Sequence, residues 1–284
     1  MTLIIITYLK RRRMMKHKTF SFLHSAAYAC CGLAMILSCG QKTTTETAFT
    51  MKSDSIVADI DMGHFAISMD YPADTTSALA KAMTEYASEM LGGTYQGTYD
   101  SPHSLMAYYH TRIINEWRPD FELYREASST NPSLFWNTRI EKIAETPRFL
   151  TIGFTSETYQ GGAHGLCLNY GVTFRKDDCR RIGWEILRNN KGENMQRLIR
   201  QGLREYFNVA SDDDLRPMLF EEEYLYSAPL PQCPPLFLDQ GVRFIYNQYE
   251  IAPYAAGSPS FVIPYDKLKD EFYVTGQRLC GITE

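Results

Sequence analysis

Acidic residues are missing from the first 38 positions of this 284-residue chain, although the whole carries 33. The same stretch holds six bases: Lys10, Arg11, Arg12, Arg13, Lys16 and Lys18. Taking these six from the 29 Lys and Arg leaves 23 bases against 33 acids from Cys39 onward, a net charge near −10. Such a body lacks the cation surplus that displaces counterions from phosphates, so no nucleic-acid partner is expected. The basic end is not part of the fold and reads as a targeting signal. After Cys39 no run is long and apolar enough to span a bilayer. There is no CxxC pair, which argues against a zinc ribbon or a thioredoxin-type redox motif. GxSxG and HExxH are also missing. The acidic runs Asp212–Asp214 and Glu221–Glu223 lack the glycine spacing of a calcium loop and read as a helix cap and a solvated face. No metal and no cofactor is therefore expected. What the chain does have is 44% hydrophobic and 13% aromatic residues, which excludes a disordered polymer.

Lys16–Lys18 lead into an apolar run from Phe20 to Leu37 that ends at Ile36-Leu37-Ser38-Cys39, followed by Gly40. This pattern resembles a bacterial lipobox. A small residue before the cut gives a peptidase access, and the Cys39 thiolate takes the diacylglyceryl group. Residues 1–38 are then a lipoprotein signal peptide. Cys39 is the lipidation site, and polar residues 39–54 form a flexible tether. Each buried acyl methylene adds roughly 0.8 kcal/mol of membrane affinity, so two or three chains anchor firmly. The expected location is the cell envelope, extracytoplasmic, on the inner or the outer membrane. An uncleaved signal anchor and a cleaved soluble form are the alternatives. Starting at Met15 rather than Met1 gives an ordinary signal-peptide opening.

Cys167, Cys179, Cys233 and Cys280 remain in the body. Four cysteines allow three pairings, and their spacing selects none. A disulfide and buried free thiols are both open.

Hydrophobic periodicity and turn residues predict an α+β fold, with a mixed or largely antiparallel sheet and packed helices. Ile56–Met69 reads as one strand. Thr75–Leu91 reads as a helix stopped by Gly92-Gly93. Leu105–Trp117 reads as a second helix, ended by Pro119. Phe135–Ile143, Phe149–Tyr159 and Leu166–Phe174 read as an antiparallel meander that turns toward Arg181–Leu187. Glu193–Phe207 is an amphipathic helix. Ser211 is a helix N-cap, Leu236–Tyr246 a hairpin, Ser260–Tyr265 a strand and Asp266–Phe272 a short helix.

Two segments carry a family resemblance. One is Tyr159-Gln160-Gly161-Gly162-Ala163-His164-Gly165 with Asn169-Tyr170. The other is Tyr249-Glu250-Ile251-Ala252-Pro253-Tyr254-Ala255-Ala256-Gly257 with Val262-Ile263-Pro264-Tyr265. Together they resemble the RsiV-like domain of unknown function, known from the extracellular part of the anti-sigma-V factor. The resemblance implies residues 159–284 as that domain and 55–158 as its usual N-terminal companion. It also implies binding: lysozyme is the partner of the best-understood member, and related domains accompany cell-wall polysaccharide deacetylases. Only 38 residues precede Cys39, so no sigma-binding segment is expected here.

Gly161, Gly162, His164, Tyr249, Glu250 and Tyr254 are accordingly the candidate ligand-binding residues. His164 and Glu250 are also the candidate catalytic pair, should the two loops meet. More commonly such a histidine pins its loop and such a glutamate is a loop-fixing acceptor, and a lone pair lacks the nucleophile or second carboxylate that hydrolysis needs. Trp117, Trp136, Trp184 and the tyrosines are either core or a sugar-stacking platform. Three functions follow. The first is a non-catalytic envelope lipoprotein that binds a protein such as lysozyme, or peptidoglycan. The second is an envelope hydrolase using His164 and Glu250. The third is a structural subunit of an envelope assembly.

Overall fold

The computed structural model describes residues 49–127 and 133–282. The expected signal peptide, Cys39, both candidate start sites and the expected tether up to residue 48 lie outside the described residues.

Among the described residues nine strands form two sheets. The larger has the order β1-β2-β3-β4-β5-β6, with β1 Met51–Ile60, β2 Gly63–Pro72, β3 Leu134–Glu145, β4 Phe149–Tyr159, β5 Leu166–Arg175 and β6 Arg181–Ile182. All its pairings are antiparallel except β2 with β3, which is parallel. The smaller is an antiparallel sheet of β7 Leu236–Phe237, β8 Gly241–Ile245 and β9 Ser260–Pro264. With the helices, this is an α+β fold.

The first expected strand is in fact a hairpin. The chain reverses at Asp61-Met62, and Asp61 takes a left-handed conformation with φ 53°. Aspartate tolerates that region, so the turn needs no glycine to announce it. Strand β1 begins at Met51, inside the segment expected to be tether. Asp54 of that strand accepts a 2.7 Å hydrogen bond from His103.

Helix α1 (Ala78–Met90) is capped by the Ser77 hydroxyl, which accepts the Ala80 N–H. Helix α2 runs from Pro102 to Ala127 and carries Pro119 in its interior. Proline was expected to end it. The helix continues because Phe121, two residues on, is 1% exposed and sits edge-on to Phe65 at 5.9 Å. Burial of a large aromatic outweighs one missing helical hydrogen bond. Trp117 packs on the same Phe65 ring at 5.4 Å, and Trp136 is likewise buried. Trp184 packs on Phe244. The tryptophans therefore belong to the packing rather than to an exposed stacking platform.

One face of the large sheet carries Phe65, Ile67, Leu150, Ile152 and Phe174, all buried against α1 and α2. Thr151 and Thr173 point to the other face. There Thr151 donates to the Phe237 carbonyl at 2.6 Å, and the Phe237 N–H donates to Thr173 at 3.0 Å. The small sheet thus docks on the back of β4 and β5. A second core gathers beneath it. Its frame is α3 (Glu193–Phe207), whose Met195, Leu198, Ile199 and Leu203 are at most 2% exposed. Gly202 on that helix is where the Phe261 ring rests, and a Cβ would collide with it. Short helices α4 (Asp212–Leu215), α5 (Tyr265–Leu268) and α6 (Val274–Leu279) close this half. Ser211 caps α4 through the Asp214 N–H.

The boundary expected at residue 159 falls inside the β4–β5 hairpin, so the large sheet spans it. Cys167, Cys179, Cys233 and Cys280 are free thiols. Burial pushes Cys233 and Cys280 each up to about 12, which disfavours the reactive thiolate. Among the described residues no helix is long and apolar enough to cross a membrane.

Candidate functional site

The two sequence motifs meet. The first occupies the turn between β4 and β5, where Gly161 and Gly162 have φ of 88° and 97°. The Tyr124 ring lies over Gly161, and its hydroxyl donates to the Gln160 carbonyl. The second motif follows β8. Tyr249 there has φ 64° and is 51% exposed.

Contact between the loops is aromatic. The His164 ring stacks on Tyr254 with centroids 3.8 Å apart and planes 21° apart. The Tyr249 hydroxyl lies 3.1 Å from His164 Nε2, and the Tyr249 and Tyr254 rings are 5.7 Å apart. His164 Nδ1 lies 2.9 Å from the Gly165 carbonyl. A carbonyl only accepts, so Nδ1 carries a proton. In the neutral ring Nε2 then accepts from the tyrosine hydroxyl. His164 and Tyr249 are exposed and Tyr254 is half-buried, so the three rings form one accessible surface.

Glu250 does not join them. Its carboxylate accepts the Gln232 N–H at 2.6 Å and the Asn247 N–H at 2.8 Å. Burial raises its pKa, partly offset by those two N–H donors. Both carboxylate oxygens and both His164 nitrogens are thus engaged elsewhere. The expected His164–Glu250 pair is not formed. The physical reason is the left-handed turn at Tyr249, which presents the tyrosine to His164 while Glu250 folds back onto its own loop. Among the described residues no group of three or more His, Cys, Asp or Glu is placed to hold a metal ion.

Two residues that sequence reasoning missed hold the loops together. Asn247 is 5% exposed and bonds Asn169 of β5 twice: Oδ1 accepts the Asn169 N–H at 2.6 Å, and Nδ2 donates to the Asn169 carbonyl at 3.0 Å. Gln248 Oε1 accepts the Cys167 N–H at 2.9 Å. Beyond its short pairing with β6, the free edge of β5 is thus closed by side chains. Residues 78 and 81 positions apart make these bonds, and no local pattern marks them. Among the described residues the other histidines are held by partners of the scaffold, as His103 is by Asp54. His64 bonds Asp59 at 2.7 Å, and buried His110 bonds the Phe65 carbonyl at 3.1 Å.

Residues 186–266 match the model of a family described as a protein of unknown function, DUF3298. The chain thus carries a DUF3298 domain, which includes Tyr249, Glu250 and Tyr254, while His164 lies before it. Crystal structures of two DUF3298-family proteins have a similar fold. One, from Bacteroides fragilis, superposes with a TM-score of 0.63 at 18% identity, covering 81% of this chain and 96% of its own. The other, from Pseudomonas aeruginosa PAO1, gives 0.56 at 15% identity with the same coverages. At these identities the likeness speaks to fold alone. No curated protein matches the sequence.

Proposed function

We propose that this chain is a lipid-anchored protein of the cell envelope that binds a protein or glycan ligand through the His164, Tyr249 and Tyr254 surface. The observation that carries this reading is the accessible three-ring cluster, built from two loops and clamped by Asn247. Tyrosine and histidine rings with one polar atom each suit recognition: they offer apolar area at low entropy cost together with hydrogen bonds. The lipobox at Ile36–Cys39 and the basic leader support the anchor and the location. The resemblance of the two motifs to the RsiV-like domain supports lysozyme or peptidoglycan as ligand. A net charge near −10 beyond Cys39 favours association with a basic partner. The hydrolase reading loses its motivation, since it rested on a His164–Glu250 pair.

Calorimetric titration of the full chain with lysozyme and with soluble peptidoglycan fragments tests the proposal. Saturable heat is expected with at least one of them. Silence from both at roughly 100 μM, a concentration that would register a dissociation constant well into the micromolar range, overturns it.

A further inference from the structure

The two acidic runs belong to one segment, Ser211–Ser227, which holds six acids and one base. Buried leucines set its shape. Leu215, Leu219 and Leu225 are all buried, and they pin a 3₁₀ turn at Arg216–Met218 and another at Glu222–Leu225. The Leu225 carbonyl also accepts a 2.6 Å hydrogen bond from Arg200 of α3. On this fixed frame three large apolar side chains face water: Met218 is 39% exposed, Phe220 47% and Tyr226 63%. Apolar residues exposed singly are ordinary, but three within the nine residues Met218–Tyr226 of a firmly held segment mark an interaction surface.

Two observations say what covers it. One is its neighbour. The Phe220 N–H donates to the Ile251 carbonyl at 3.0 Å, and Ile251 lies between Tyr249 and Tyr254 in the second motif. The segment therefore adjoins the ring cluster. The other is charge. Arg216 is already engaged by Asp213 and Glu222, and Arg200 and Arg204 by Asp212. Glu221 and Glu223 stay exposed, and among the described residues neither has an ion pair. Apolar anchors flanked by uncompensated carboxylates complement a basic protein surface, whereas an anionic glycan or lipid surface would be repelled.

We propose that Met218, Phe220 and Tyr226 are the apolar anchors of a protein interface, with Glu221 and Glu223 as its rim, and that the partner is a basic protein. This rests on the recognition role of the ring cluster and narrows its ligand to a protein. Anchors desolvated in the complex hold it together and set its dissociation rate. Rim carboxylates speed the encounter and make it salt-dependent.

The test is the binding kinetics of the full chain with three probes: lysozyme as the basic protein, lysozyme acetylated on its lysines, and soluble peptidoglycan fragments. Lysozyme is expected to bind with an association rate that falls as salt rises, and its acetylated form, stripped of lysine charge, at least tenfold more weakly. Phe220→Ser and Tyr226→Ser should each weaken lysozyme binding at least tenfold through faster dissociation. Glu221→Gln combined with Glu223→Gln should slow association and flatten its salt dependence. Both glutamates are exposed, so this variant keeps the fold even where loss of the Phe220 ring does not, and melting temperatures verify each protein. Lysozyme binding left unaltered by all three variants overturns the inference while the ring cluster's role stands. So does equal binding of acetylated lysozyme, or binding of the peptidoglycan fragments alone. Silence from every probe overturns the inference together with the reading beneath it.

Discussion

The Asn247 side chain engages the backbone of Asn169 as a neighbouring strand would, accepting its N–H at 2.6 Å and donating to its carbonyl at 3.0 Å. Through this pair the second motif's loop is fastened to the strand that leaves the first motif. Asn247→Ala removes a donor and an acceptor at once and leaves two strand-edge groups unpaired. Each such group costs about 1–3 kcal/mol when shielded from water, so a loss of roughly 2 kcal/mol or more is expected in urea denaturation. An unchanged midpoint would show that water replaces the side chain at no cost.

Tyr249 trades stability for exposure. A tyrosine in the left-handed region is strained by about 1 kcal/mol or more, and asparagine tolerates that conformation far better. Tyr249→Asn is therefore expected to keep or slightly raise stability while removing the ring that reaches His164. Thermal denaturation checks it. A clear loss of stability would mean that the ring holds the loop rather than facing a ligand.

Glu145 gives the fold an acid-sensitive clamp. Its carboxylate accepts hydrogen bonds from Lys176, from Lys142 and from the Phe49 N–H, where the described chain begins. Its side chain is 7% exposed and that of Lys176 6%. Burial alone would raise the Glu145 pKa, but the three hydrogen bonds and the Lys176 charge outweigh it and hold the carboxyl below its ordinary value of 4.5. A depressed carboxyl stabilises the fold above that ordinary value, and the contribution is lost as pH falls below 4.5 through the folded value. Denaturation curves taken from neutral to acid pH should therefore fall more steeply for the wild type than for Glu145→Gln. Glu145→Ala at neutral pH should cost about 3–5 kcal/mol, because Lys176 is left buried and uncompensated.

Pro119 is a residual weakness in α2. It supplies no N–H to the helix, and interior proline costs about 3 kcal/mol relative to alanine. Pro119→Ala is expected to stabilise by about 1–3 kcal/mol in chemical denaturation. A neutral or destabilising result would show that the surrounding packing is fitted to the proline ring.

The parts of this architecture legible in the sequence are those with a local signal. Glu193–Phe207 carries its apolar stripe at helical spacing, and Met195, Leu198, Ile199 and Leu203 are all buried as that stripe implies. The β3–β4–β5 meander is marked by its turn residues. The β1–β2 reversal escaped because Asp61-Met62 interrupts an alternation without a glycine or proline of its own. The span of α2 escaped because proline's local rule was overridden by burial of Phe121. At the site, the two loops were recognisable as motifs, but not what joins them. His164 meets Tyr249 and Tyr254 rather than Glu250, a choice made by a single left-handed residue. The parallel β2–β3 pairing and the Asn247–Asn169 clamp depend on residues far apart in the chain, which periodicity does not encode.

The measurement that bears most directly on the ring cluster is the binding of wild type, Tyr249→Asn and His164→Ala to lysozyme and to purified peptidoglycan, compared at equal folded fraction. Saturable binding by the wild type and at least tenfold weaker binding by both variants is expected, which corresponds to losing about 1.4 kcal/mol or more of contact energy. Equal binding by all three proteins, or none by the wild type, would contradict a recognition role for these three rings.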